Sequence, residues 1–239
     1  MSGTFYCVGV GPGDPDLLTI KALKLLKSGA TVAYPVGADS GTSFARSIAA
    51  PHIPVGTKEF GFAVPMRESR TPAIEAYNQA AETIRKTLMG GKDVVLLCEG
   101  DPFFYGSAMY LFERLADEFK TQVVPGITSL TACAAASERP LAARNDILKV
   151  IPAPLEEKII IKELKGAESA AIIKVGRHFE KVRRVLKEMN LEESAIIIEA
   201  ATGENENIRS VSDFDASERP YFSTILVYKG GETWGQPNG

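Results

Sequence analysis

Two Gly-Asp-Pro loops, each directly after an apolar run, constrain the fold of this chain more than any other feature. The first loop spans residues 9–16 and follows the run 5–8, whereas the second spans residues 99–107 and follows the run 94–97. Flexible backbone and a carboxylate at the carboxyl end of a buried strand are typical of the ligand-binding edge of an open α/β sheet. Both loops fall within the first 107 residues, so we expect one sheet to build one crevice from them.

The order of the remaining elements predicts two α/β lobes. In the N-terminal half, short apolar runs alternate with helical periodicity, which predicts a mostly parallel sheet covered by helices on both faces. Asp16 is expected to cap the first helix, which ends near Gly29. Two prolines in the four residues 151–154 interrupt regular secondary structure, and a hinge is expected before them. We predict an N-terminal α/β domain at 1–143 and a C-terminal α/β domain at 144–239, with a cleft between them.

The C-terminal half is expected to contain a second set of strands separated by amphipathic helices. The apolar runs predict strands at 148–151, 170–175, 194–199 and 222–228. The polar segment 203–215 is expected to form a hairpin.

Composition and charge indicate which kinds of partner this chain lacks. The net charge is −3 and there is no dense stripe of Lys and Arg, so no nucleic-acid partner is expected. No apolar run approaches the ~20 residues of a membrane span, and the N-terminus lacks a signal-peptide pattern. We expect a cytoplasmic chain without a membrane partner. Because Cys7, Cys98 and Cys133 lie far apart and there are only two histidines, no metal site is expected, and the thiols are predicted to be buried and reduced.

The first loop is a poor dinucleotide-binding loop. Asp14 stands where the third glycine of a Gly-x-Gly-x-x-Gly pattern belongs, and Pro12 lacks the N–H that a phosphate would need. The Gly-Lys-Ser/Thr of a phosphate-binding loop is also missing. An acidic turn suits a cationic or hydroxylated ligand better than a phosphate, which disfavours a nicotinamide-dependent dehydrogenase.

The second loop and a third segment at 124–129 carry further candidate groups. Gly100 allows close backbone approach, and the Asp101 carboxylate could accept a hydrogen bond from a ribose or lie near a positive centre. The aromatic residues at 103–105 could line a ligand pocket or pack in the core. The hydroxyl groups of Thr128 and Ser129 could bind a ligand or cap a helix.

These three segments, in this order, resemble the tetrapyrrole methylase family, the S-adenosylmethionine-dependent methyltransferases of cobalamin and sirohaem synthesis. The resemblance continues at residues 172–177, 198–202 and 222–227, and so covers almost the whole chain. Within the family, the segments 14–19, 105–107 and 174–178 are most similar to the branch that methylates C20 of precorrin-2. The resemblance implies the two-lobed fold of class III methyltransferases and a methyl donor folded between the lobes.

The resemblance also implies a set of binding residues. The donor S-adenosylmethionine, and its product S-adenosylhomocysteine, are expected to contact Pro12, Glu99, Gly100, Asp101, Phe104, Thr128, Ser129, Val175, Ala201, Thr224 and Ile225. The implied substrate is a carboxylate-rich tetrapyrrole, either precorrin-2 or cobalt-factor II, bound by a homodimer. Basic candidates for holding its carboxylates are Arg67, Arg70, Arg139, Arg144, Arg177 and His178.

The sequence alone leaves the general base unidentified and two alternative functions open. Direct displacement at the sulfonium methyl needs no covalent nucleophile from the protein, and no general base is identified. One alternative is a methylase acting on another tetrapyrrole carbon or on the cobalt-containing substrate. The other is a non-catalytic ligand-binding protein of the same fold, which methyl transfer from a labelled donor would distinguish.

Overall fold

The chain divides into two compact units, residues 1–128 and residues 129–239. The computed structural model describes residues 1–38, 40–65, 71–214 and 222–229. The division falls where it does because helix α5 (Ser129–Ala136) contacts a strand of the second unit. The boundary that we predict between residues 143 and 144, and the cleft, stay predictions.

The first unit is built on a five-stranded sheet in which every neighbouring pair is parallel. Its strands are β1 (Phe5–Gly9), β2 (Thr31–Gly37), β3 (Glu59–Val64), β4 (Val94–Cys98) and β5 (Thr121–Val124), in the order β3-β2-β4-β1-β5. Its helices are α1 (Ile20–Leu26), α2 (Phe44–Ala49), α3 (Thr71–Met89) and α4 (Ala108–Leu115). The predicted parallel sheet is confirmed. Strand β3 and helix α2 are absent from the sequence prediction, because the short edge strand and the six-residue helix give weak periodic patterns.

The central strands of this sheet are buried on both faces. In β1, Cys7 packs into one apolar cluster and Val8 into the other; in β4, Leu96 and Leu97 divide in the same way. Successive side chains of a strand point to opposite faces, so a strand covered on both sides is a continuous apolar run. This explains why the apolar runs of the sequence predict β1 and β4.

The first helical segment begins differently from the prediction, which is wrong about the cap. Asp14, not Asp16, caps a short 3-10 helix at Pro15–Leu17, accepting a 2.8 Å hydrogen bond from the amide of Asp16. Thr19 then caps α1, its hydroxyl accepting from the Ala22 amide at 3.2 Å. Two capping residues in close succession divide what periodicity alone presents as one helix.

The second unit carries a mixed sheet. Its strands are β6 (Leu148–Pro152), β7 (Ser169–Ile173), β8 (Ala195–Glu199), β9 (Asn207–Ser210) and β10 (Ser223–Tyr228), in the order β6-β7-β10-β8-β9. Only β6 and β7 pair in parallel, and β10 runs antiparallel to both of its neighbours. Strands β8 and β9 form an antiparallel pair. The described part of the segment 203–215, predicted to form a hairpin by itself, contributes only β9, and its partner strand β8 precedes the segment. The other helices of this unit are α6 (Glu157–Lys165) and α7 (Phe179–Glu188).

Candidate functional site

Three loops of the first unit meet at the carboxyl edge of its sheet. They follow β1, β4 and β5, which are adjacent strands in the order β4-β1-β5. The amide of Gly100 donates to the carbonyl of Gly11 at 2.8 Å, and the amide of Gly11 donates back at 3.3 Å. This two-residue bridge joins the two Gly-Asp-Pro loops. The structure therefore confirms the prediction that the two Gly-Asp-Pro loops converge at one sheet.

Glycines make this junction possible. A Cβ atom on Gly126 would overlap the carbonyl oxygen of Gly100 and lie 2.9 Å from the Cα of Gly9. A Cβ on Gly9 would lie 2.7 Å from the Cα of Gly126. Gly100 itself has a φ of +59°, in the left-handed region. The closest approaches between the three loops are therefore between backbone atoms.

Asp101 ties two of these loops together. Its Oδ1 accepts from the amide of Phe103 at 2.9 Å, and its Oδ2 accepts from the amide of Gly126 at 3.0 Å. Both carboxylate oxygens are therefore engaged with backbone in the free chain. Its predicted contact with the donor stays a prediction, whereas its role in holding the junction is visible directly.

Glu99 is the first residue after β4, and its side chain is exposed to solvent. Protein nevertheless surrounds much of the carboxyl group, and this desolvation raises the pKa of Glu99 to about 6. A backbone hydrogen bond from Ala45, in α2, acts in the opposite direction. Because the side chain keeps contact with solvent, water screens part of this effect, and the direction of the shift is what bears on ligand binding.

The remaining predicted residues of the first unit lie around the same junction. Pro12 and Phe104 are half-buried, and Thr128 lies just beyond β5 with partial exposure. The ring of Phe104 meets the ring of Tyr105 edge to face, with centroids 5.1 Å apart. Six predicted donor contacts, from Pro12 to Thr128, therefore belong to one set of loops. Ser129 is exposed and begins α5 in the second unit.

The second unit has its own candidate edge, formed by the loops after β7 and β8. Three non-glycine residues there have left-handed backbone: Lys174 with a φ of +58°, Ala200 with +45° and Thr202 with +66°. The Thr202 amide donates to Oε2 of Glu206 at 2.6 Å, and the Gly203 amide donates to the carbonyl of Ala200 at 2.8 Å. Strained backbone of this kind is concentrated at functional sites. Neither the strain nor Glu206 was identified from the sequence, which carries no signal for the sign of φ at a non-glycine residue.

The predicted donor contacts of the second unit differ in accessibility. Ala201 is 6% exposed, within the strained loop. Val175 and Ile225 are fully buried in the apolar core. Ile225 also pairs through its backbone with both β7 and β8. The side chains of these two residues therefore support the core, and their predicted donor contacts remain untested.

Thr224 faces away from that core. Its side chain is buried and hydrogen-bonds with Cys133 of α5. Burial raises the pKa of Cys133 to about 11, and the hydrogen bond with Thr224 acts in the opposite direction. The hydroxyl of Thr224 thus already has a partner within its own unit.

The basic candidates for substrate carboxylates separate into two groups. Arg177 follows β7 and donates to Nε2 of His178 at 3.4 Å, so both lie at the edge that carries Ala201. Arg139 donates to the carbonyl of Tyr228 at 3.3 Å, at the opposite end of β10. Arg144 is exposed in the segment before β6. Arg67 and Arg70 lie outside the described residues.

Cysteine chemistry offers no further site among the described residues. Cys7, Cys98 and Cys133 are buried and free, as predicted. Burial raises the pKa of Cys7 to about 12, which keeps the thiol protonated.

In the described ranges there is no group of three His, Cys, Asp or Glu side chains placed to hold a metal ion. Within the same ranges, no helix is both long enough and apolar enough to span a membrane.

Comparison with known proteins identifies relatives of this chain. It is 35% identical over 238 residues to a precorrin-2 C(20)-methyltransferase from a Sinorhizobium species, covering 94% of this chain and 95% of the relative. It is 30% identical to the cobalt-precorrin-2 C(20)-methyltransferase of Salmonella typhimurium, covering 96% and 98%. It is also 36% identical to the cobalamin biosynthesis protein CobIJ of Mycobacterium tuberculosis, covering 94% of this chain. The chain spans 46% of the length of that protein.

Solved structures share the fold. A cobalt precorrin-4 methyltransferase, 26% identical, superposes with a TM-score of 0.69 and covers 94% of each chain. A uroporphyrin-III C-methyltransferase from Thermus thermophilus, complexed with S-adenosylhomocysteine, has a TM-score of 0.67 at 23% identity and covers 94% and 97%. The predicted class III α/β fold is confirmed. The family of tetrapyrrole (corrin/porphyrin) methylases matches residues 4–214, and the chain belongs to this family.

Proposed function

We propose that this protein is an S-adenosylmethionine-dependent methyltransferase that methylates C20 of precorrin-2, giving precorrin-3A in cobalamin biosynthesis. The observation that carries the proposal is the 35% identity to a precorrin-2 C(20)-methyltransferase along 95% of that protein's length. A match over 94% of this chain extends into both units. The same reasoning applies less strongly to the cobalt-containing substrate, for which the relative is 30% identical.

The residues of the first unit fit a cationic donor. The three converging loops, residues 9–16, 99–107 and 124–128, contain four carboxylates and no Lys or Arg. The Glu99 side chain is exposed at the junction, next to Gly100. A positively charged sulfonium or ammonium group is favoured beside carboxylates, whereas a phosphate would be repelled. Glycine at the junction also lets a ligand approach the backbone closely.

The protein's part in the reaction is to bind and align. The donor, when bound, supplies a methyl group on a positively charged sulfur. In this proposal the loop junction, which is held by the Gly11–Gly100 bridge and the Asp101–Gly126 hydrogen bond, positions that group. We assign the holding of substrate carboxylates to Arg177 and His178, which contact each other at the edge of the second sheet. Holding two reactants in line at about 3–3.5 Å is a sufficient source of large rate enhancement without a covalent nucleophile.

We also infer a cytoplasmic homodimer, supported by the resemblance to the family. Light scattering on the purified protein measures the dimer directly. A monomeric mass at working concentration would remove the dimer from the proposal without affecting the reaction.

The proposed reaction is tested by locating the new methyl group. The protein is incubated anaerobically with methyl-13C S-adenosylmethionine and precorrin-2, and in parallel with cobalt-factor II. We expect precorrin-2 to gain one methyl group, and 13C NMR to show that the labelled methyl is attached to C20. Methylation of another carbon would make the protein a different tetrapyrrole methylase. Donor and tetrapyrrole binding without transfer would indicate a binding protein, and faster transfer to cobalt-factor II would reassign the substrate.

A further inference from the structure

Tyr105 combines a strained backbone with an exposed ring. Its φ is +55°, and it is the one aromatic residue with left-handed backbone among the residues that the structure describes. For a bulky side chain this conformation is a genuine outlier. The residue is 45% exposed, so core packing accounts for little of its presence in this position.

The surrounding loop imposes this conformation. Asp101 holds the turn through the amide of Phe103 at 2.9 Å, and the Phe104 amide donates to the carbonyl of Asp101 at 3.4 Å. A Cβ on Gly106 would lie 2.5 Å from the carbonyl oxygen of Pro102. The chain therefore curls tightly before α4, and the residue at position 105 must take the left-handed region.

The ring of Tyr105 stands next to the predicted donor contacts. Phe104, one of those contacts, is half-buried and meets Tyr105 edge to face with centroids 5.1 Å apart. Such a contact fixes the orientation of the exposed ring. Tyr105 is thus the next aromatic group outward from the loop junction.

We propose that Tyr105 is a contact for the tetrapyrrole, with its ring against the macrocycle and its hydroxyl directed to a peripheral carboxylate. This inference rests on the proposed function, because the substrate class comes from there. Methyl transfer requires the acceptor carbon and the donor methyl to lie about 3–3.5 Å apart. An exposed ring directly beside the donor contacts therefore lies where the acceptor must arrive. A tyrosine suits this ligand because it offers an apolar face and a polar tip.

The test separates substrate binding from stability and from donor binding. Tyr105→Asn removes the ring but tolerates left-handed backbone, and Tyr105→Phe keeps the ring and removes the hydroxyl. Glu138→Asn is the matched control, since Glu138 has a φ of +51° just after α5 and belongs to the second unit. The affinity for precorrin-2 is measured by anaerobic absorbance titration with saturating S-adenosylhomocysteine, so that no methyl group is transferred. Calorimetry gives the affinity for S-adenosylhomocysteine, and thermal unfolding gives the Tm.

We expect Tyr105→Asn to raise the Kd for precorrin-2 by about tenfold, with the Tm unchanged or higher and the Kd for S-adenosylhomocysteine changed by less than about twofold. Tyr105→Phe is expected to fall between this variant and the original chain. Glu138→Asn should leave both affinities unchanged. If Tyr105→Asn binds precorrin-2 with unchanged affinity, or loses affinity equally for both ligands, this inference fails and the proposed function is unaffected. If the unsubstituted chain does not bind precorrin-2, the proposed function itself fails.

Discussion

The two units build their candidate ligand edges by opposite means. In the first unit the loops after β1, β4 and β5 approach each other closely at Gly9, Gly100 and Gly126, where no Cβ atom separates the backbones. In the second unit, the loop after β8 places Ala200 and Thr202, which carry side chains, in left-handed backbone. The first edge depends on the absence of Cβ atoms, and the second depends on hydrogen bonds that hold a disfavoured conformation.

This difference predicts that adding a side chain damages the first edge, whereas replacing a residue by glycine relieves strain at the second. Adding a methyl group at the glycine junction forces backbone atoms apart, and interiors tolerate such overlap poorly. Replacing a strained residue by glycine removes a conformational cost of about 1 kcal/mol. Four experiments examine the comparison.

The largest effect is expected for Gly126→Ala. Its Cβ would overlap the carbonyl oxygen of Gly100, so we expect a loss of about 3 kcal/mol in the free energy of unfolding and loss of donor binding. Chemical denaturation and calorimetry with S-adenosylhomocysteine measure the two effects. Gly29→Ala is the control, because Gly29 has a φ of +82° with nothing within 4 Å of its Cβ position. It should cost only about 1 kcal/mol. Equal losses in the two variants would show that contact at the junction is unimportant.

Asp101→Asn is expected to have the next largest effect. An amide can accept from only one of the two backbone N–H groups that Asp101 now satisfies, and its NH2 group would face the other donor. Loss of a hydrogen bond to a charged group predicts about 2 kcal/mol of destabilisation. Asp16→Asn, in the first loop and exposed, is the matched control. If both variants unfold at the same denaturant concentration, the carboxylate does not hold the junction.

Glu206→Ala examines the second edge. It removes the acceptor for the Thr202 amide, and we expect about 1 kcal/mol of destabilisation together with weaker donor binding. Adding Thr202→Gly should restore part of the stability, because glycine adopts a φ of +66° without strain. Glu204→Ala, an exposed neighbour, serves as control. A double variant no more stable than Glu206→Ala would contradict the strain argument.

The α/β class and the loops at the strand ends could be predicted because they are local. Apolar runs identify strands, and a Gly-Asp-Pro turn after each run is visible in the sequence. That Asp101 would hydrogen-bond Gly126 could not be predicted, since it depends on β1 lying between β4 and β5. The burial of Val175 and Ile225 likewise follows from packing of α7 and the mixed sheet. Resemblance transfers positions along a chain, but it does not tell whether a side chain or a backbone atom makes the contact.

The smallest effect concerns Glu99, the exposed carboxyl of the glycine-based edge. Its pKa is raised to about 6 by desolvation, so the folded chain binds this proton more tightly than the unfolded chain. Its contribution to folding stability is therefore complete below about pH 4.5 and is lost as the pH rises through about 6. Glu99→Gln cannot titrate, and its stability relative to the original chain should increase between these two values. Chemical denaturation at pH 4.5, 6 and 7.5 measures the difference.

Donor binding should respond to the same titration in the opposite sense. Ionised Glu99 favours a cation, so the affinity for S-adenosylmethionine should rise by about two- to fivefold from pH 5 to pH 7, the range expected for a partly exposed ion pair. S-adenosylhomocysteine has a neutral sulfur, so its affinity should depend less on pH. In Glu99→Gln, the affinities for the two ligands should have the same pH dependence. If both ligands follow the same pH profile in both proteins, Glu99 does not face the sulfonium. The cation would then be recognised by another group of the first edge, and the negative charge of Glu99 would not be part of the donor site.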